Sequence, residues 1–149
     1  MSGPTADVAT AVIAKPAPEV FDFMSDPHRL DLWSFGTWRV EIGDDGLVKG
    51  TAIYDGSATY VRIDPEPGRL LIDYAVGAAP DRLVPRISAR VTPGEILGLA
   101  QNHSMLSIVA LRTARMDDTR WKGLISAHAF EATLIKAILE SGFDHRTLR

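Results

Sequence analysis

The chain has 149 residues, a length that suits one domain able to bury about two thirds of its unfolded surface. It carries 16 Lys and Arg against 19 Asp and Glu, a formal net charge of −3, so no positive field favours a nucleic-acid backbone or an anionic membrane as partner. It contains no cysteine, which removes disulfides, thiolate metal sites and thiol nucleophiles together.

Residues 1–6 are small and polar and read as a loose tail. The N-terminus lacks a basic n-region, and nowhere do ~18 apolar residues follow one another, so the expectation is a soluble, cytoplasmic protein. A β-type run from Val8 to Ala14 predicts the first strand, which Lys15-Pro16-Ala17-Pro18 stops. Pro18 suits the first turn of a helix carrying Val20, Phe21, Phe23 and Met24. Ser25-Asp26-Pro27 ends that helix and can cap a second, from His28 to about Ser34, with Leu30, Leu32 and Trp33 on its apolar side.

From Thr37 the hydrophobic period becomes two, with turn residues every eight to twelve positions. The strands expected are 38–42, 47–54, 58–63, 69–76, 84–91 and 105–114. Residues 92–104 read as a long connection or a bulged continuation of strand. The stretch from Asp117 to Gly142 has the strongest helical period. Trp121, Leu124, Ile125, His128, Ala132, Ile135 and Leu139 share one arc, which Ala127, Leu134 and Ile138 widen. Asp117 or Asp118 can cap its start, and Gly142 can end it. No repeat or linker divides the chain, so residues 1–149 form a single α+β domain. Its seven-stranded curved antiparallel sheet wraps a long C-terminal helix, and a cavity is expected between the two.

The opening AVIAKPAPEVFDFMSDPHRLDLWS carries a resemblance. Its strand, its Pro-Ala-Pro-Glu-Val-Phe helix entry, Ser25-Asp26-Pro27 and Trp33 resemble the START-like or Bet v 1-like helix-grip superfamily, in particular its bacterial polyketide cyclase/dehydrase-like branch. The long C-terminal helix matches in layout. The resemblance implies a hydrophobic pocket under that helix, used across the superfamily for lipids, hormones and polyketides. In some members it serves cyclisation, dehydration or hydrolysis. It does not choose among these uses.

His128 and Glu131 stand three residues apart inside the apolar arc, so they are neighbours on a face that should turn inward. Either they project into the pocket, with Glu131 orienting the imidazole or raising its pKa so that His128 moves protons, or they form a buried pair that only keeps polar atoms satisfied. Trp33, Tyr54, Tyr60, Tyr74, Trp121, Leu124 and Ile135 are the further candidates to line the pocket. Trp33 and the tyrosines have core packing as the plain alternative. Of Asp73 and Tyr74 only one can point inward. Alternation in 84–91 favours Ile87, Ala89 and Val91 inward and Arg86, Ser88 and Arg90 outward; reversed, the arginines would form a cationic end for an acidic ligand.

The four histidines are scattered without ligand-like spacing, so no metal or other cofactor is expected. Serine elbow, phosphate loop and dinucleotide fingerprint are all missing. The leading expectation is a binding protein for a small hydrophobic or amphipathic ligand, such as a lipid, an aromatic compound or a polyketide-like molecule. The alternatives are a cyclase or dehydratase-type enzyme using His128 as general acid/base, and a protein–protein interaction module. The oligomeric state stays open, a homodimer included.

Overall fold

The computed structural model describes residue 3 and residues 5–148; residues 1, 2 and 4 of the expected tail, and the last residue, lie outside them. Strand β1 (Ala6–Ile13) leads into helix α1 (Ala17–Ser25), whose entry through Pro16 and Pro18 needs no backbone N–H at its first turn. The Asp26 carboxylate accepts the His28 N–H at 2.9 Å and starts a 3-10 turn, Pro27–Arg29, that runs into helix α2 (Leu30–Trp33). Six strands follow: β2 (Trp38–Ile42), β3 (Val48–Thr51), β4 (Ala58–Glu66), β5 (Leu71–Gly77), β6 (Val84–Pro93) and β7 (Ser104–Leu111). All seven form one antiparallel sheet in the order β1-β7-β6-β5-β4-β3-β2.

Several boundaries differ from those expected, each for a local reason. β3 ends at Thr51, not residue 54, because Gly56, at φ 76°, donates its N–H to Ala52 O and folds 52–56 into a turn. β4 pairs with β5 as far as Glu66, so the proline-bearing segment expected as a turn begins as strand. The ambiguous 92–104 stretch divides: β6 extends to Pro93, a 3-10 turn occupies Gly94–Leu97, and Gly98 closes it at φ 70°.

Helix α3 (Asp118–Ser141) begins and ends where its end signals place it. The Asp117 carboxylate accepts the Arg120 N–H at 2.8 Å, and Gly142, left-handed at φ 71°, donates its N–H to Ile138 O. The helix lies along β1 and β7, while α1 covers the middle of the concave face against β4 to β7. Val20 and Met24 of α1 join Ile72, Val91, Leu106 and α3's Ala132, Ile135 and Ile138 in the main core. A second, smaller cluster joins Ala110, Met116 and Trp121, with Leu124 and Ile125 packed on it. The apolar interior is therefore in two parts along α3.

Candidate functional site

Between those two parts lie His128 and Glu131, each 5% exposed. One helical step of seven residues separates Trp121 from His128, about 10 Å of axial rise, so α3 presents indole, imidazole and carboxyl in a row on its inner face. The Phe35 N–H donates to Glu131 Oε2 at 3.2 Å, while Glu131 Oε1 stands 4.0 Å from His128 Nε2, beyond hydrogen-bond length. Burial pushes the Glu131 carboxyl up to about 8, against the opposing effect of the Phe35 N–H. Burial first and the Arg86 charge second push His128 down to about 4, with Asp7 acting weakly the other way. At neutral pH the pair is a neutral imidazole beside a protonated acid, not an ion pair. The expectation that Glu131 would raise the pKa of His128 is corrected accordingly: desolvation dominates at this depth.

Arg86 enters this site through an irregularity in the sheet. Tyr74 pairs with Ile87 but Val76 pairs with Val84, so β6 carries one residue more than β5 between them. Such a bulge breaks strict alternation and re-aims a side chain. Ala89 and Val91 are buried and Arg90 is exposed, as alternation requires. Arg86 departs from that pattern: its Nη1 is buried, and its charge acts on His128 inside the fold. The outward placement expected for Arg86 is thus corrected by the extra residue.

Four buried polar atoms around this region have no hydrogen-bond partner among the described residues: His128 Nδ1, Arg86 Nη1, Trp121 Nε1 and Thr37 Oγ1. Native interiors leave few such atoms, and each asks for an explanation. The rim above them is apolar. The Phe35 ring stacks on Phe130 at 5.7 Å between centroids, and Phe130 is 56% exposed. Ile53 donates its N–H to Phe35 O, and exposed Tyr54 follows it in the β3–β4 turn, within electrostatic reach of Arg86.

The other predicted residues divide by location. Trp121 is buried and Leu124 half-buried at the N-terminal half of α3, beside the polar group. Ile135 is fully buried in the main core. Trp33 and Tyr74 meet edge to face at 6.3 Å, and the Tyr74 hydroxyl already donates to Met24 O, so both have the placement of core residues. Tyr74 is the inward member of its pair, and Asp73 is exposed. Tyr60 is a correction: it pairs with exposed Lys49, one residue out of phase with the buried Val48–Val61 pair, and so lies on the convex face. Two hollows of about 530 and 470 Å³ open elsewhere, one beside Leu70, Val91 and Ile96, the other beside His28, Asp31 and Arg146; neither is lined by α3. Among the described residues no three His, Asp or Glu side chains gather as a metal site, and no helix is long and apolar enough to cross a membrane.

This arrangement, a curved seven-stranded antiparallel sheet gripping a long C-terminal helix, with two short helices after the first strand, is the helix-grip α+β fold. More particularly it is the START-like, Bet v 1-like form of that fold. No family model and no curated protein matches the chain by sequence. Solved structures do match in shape. The Zhui aromatase/cyclase from Streptomyces sp. R1128 is similar at 16% identity with a TM-score of 0.67, over 95% of this chain and 97% of its own. A START superfamily protein from Mycobacterium smegmatis matches at 12% identity and TM-score 0.63, over 93% and 99%. The Aha1 dimer from Colwellia psychrerythraea matches at 13% identity and TM-score 0.67, over 95% and 100%.

Proposed function

We propose that the chain binds a small hydrophobic or amphipathic ligand between the sheet and the N-terminal half of α3. One observation carries this reading: the apolar interior is interrupted at His128 and Glu131, where buried polar atoms of His128, Arg86 and Trp121 lack partners among the described residues. A helix selected only to stabilise the fold would continue its apolar stripe there, because an unpartnered buried polar group costs about 1–3 kcal/mol. A ligand with a polar end would meet those atoms, and its apolar body would extend the cluster around Trp121. That solved proteins of this shape include an aromatase/cyclase is consistent with an aromatic or polyketide-like guest.

Native mass spectrometry of the protein purified from its own host tests this. A non-covalent adduct of small-molecule mass is expected, and its occupancy should fall when Leu124→Trp narrows the space beside Trp121. Adduct-free protein, together with no saturable change in tryptophan fluorescence on adding aromatic or alkyl probes, would sink the idea.

A second reading, a cyclase or dehydratase-type enzyme, draws on a specific feature. His128, neutral with Nδ1 unpartnered, is a base, and Glu131, protonated, is an acid 4.0 Å away. On that reading His128→Ala abolishes turnover of a bound poly-β-carbonyl compound while its affinity changes little. Unchanged turnover in that variant would leave binding alone.

A further inference from the structure

We propose that the ligand is an anionic amphipath, with its carboxylate or equivalent acidic head paired to Arg86 and its apolar body against Trp121 and Leu124. This deepens the binding reading above and rests on it. The argument begins with placement. An arginine on a regular strand at this register would turn to solvent, where its charge is hydrated without cost. Here the one-residue bulge between Val84 and Ile87 brings it inward, with Nη1 buried and without a partner among the described residues. Leaving one guanidinium N–H buried without a partner is costly even where the rest of the side chain reaches water, so a structural role would show a carboxylate or carbonyl on that nitrogen.

The neighbouring charges point the same way. His128, 5% exposed and with Nδ1 also unpartnered among the described residues, feels the Arg86 charge, and burial keeps it uncharged. Arg120, at the start of the helix, adds a second positive charge within reach of Arg86, and exposed Tyr54 lies within electrostatic reach of it as well. Asp7 on β1 is the one acidic group felt at His128, and its effect is smaller than that of Arg86. Glu131, protonated, contributes no negative charge. The interior is thus cationic at one point and apolar around it. A guanidinium fork matches a carboxylate with two parallel hydrogen bonds, while the neutral imidazole can take or give one more.

The test uses matched pairs that differ in the head alone, 2-naphthoate with 2-naphthalenemethanol and decanoate with 1-decanol, titrated calorimetrically at pH 7. The acid of at least one pair should bind tenfold or more tightly than its alcohol. Arg86→Gln should weaken the acid at least tenfold and leave the alcohol within threefold. The Tm of free R86Q should match or exceed that of the wild type by about 2–4 °C, because an unpartnered buried charge has been removed. Should R86Q fail to fold, Arg86→Lys decides, since loss of the planar fork must weaken the acid and spare the alcohol. Acid and alcohol binding alike, or R86Q weakening both equally, overturns the anion assignment and leaves the binding site standing. Failure of all four probes to bind the wild type overturns both.

Discussion

His128 and Glu131 are buried side by side yet titrate in opposite senses, and this gives the protein a distinctive dependence on pH. His128 has its folded pKa depressed from 6.5 to about 4, so the folded state binds fewer protons than the unfolded one in that interval, and stability rises with pH across it. Glu131 has its folded pKa raised from 4.5 to about 8, so the folded state holds the extra proton, and stability falls as pH rises through that interval. Between about 4.5 and 6.5 the two effects oppose each other, and above 6.5 only the loss from Glu131 remains. Thermal melts of the wild type should therefore be nearly flat in the acid range and decline toward pH 8.5. Glu131→Gln keeps the shape of the protonated acid and should abolish that decline, which for the wild type amounts to roughly 2 kcal/mol between pH 6.5 and 8.5. A wild-type curve that climbs from pH 6.5 to 8.5 would contradict a protonated Glu131. Inward projection of both residues follows from the helical period alone. Their protonation states do not, because these depend on how much water the rest of the fold excludes.

For single elements, what could be read depended on how local the determinants are. The ends of α3 depend on Asp117 and Gly142 acting on backbone groups within four residues, and both act as their chemistry requires. Asp117→Ala should lower stability by about 1 kcal/mol, and with it the calorimetric Tm by about 2–4 °C. An unchanged Tm would mean that packing of Trp121 holds the first turn without its cap. The β-strands were legible in number and antiparallel sense but less so in face. Alternation correctly turns Ala89 and Val91 inward and admits only one of Asp73 and Tyr74, which proves to be Tyr74, since each belongs to a regular run. It fails at Arg86 because a bulge depends on pairing with a partner strand that a single strand's pattern does not contain. Pro85, just before Arg86, was the one local sign of irregularity. Tyr60 failed for a related reason: its face is fixed by register with Lys49, a long-range fact.

Across the whole molecule, the two ends of the chain's helical content are fastened together. The Arg146 guanidinium, beyond α3, donates to Asp31 Oδ1 at 3.0 Å and to His28 O at 2.7 Å, and pairs with Asp144 at 2.8 Å. That pairing holds the Asp144 carboxyl well below the usual range, at about 2. The C-terminal segment thereby braces α2, which is only four residues long and has little helical stability of its own. Arg146→Ala should raise the hydrogen-exchange rate of α2 amides several-fold while those of β6 and β7 stay unchanged; equal acceleration everywhere would mean global destabilisation in place of a local brace. The resemblance in the first 35 residues, with the layout of the long C-terminal helix, anticipated the architecture. It did not anticipate this brace.

The Phe35 loop carries a consequence for timing. Its N–H is held by Glu131, its ring by Phe130, and its carbonyl by the Ile53 N–H, so one residue ties the helix to the β3–β4 turn directly above the polar interior. A guest reaching Arg86 by this path must wait for all three ties to part. Its arrival and departure would then be governed by how often the loop lifts, and a weakly held ligand could still dwell there for a long time.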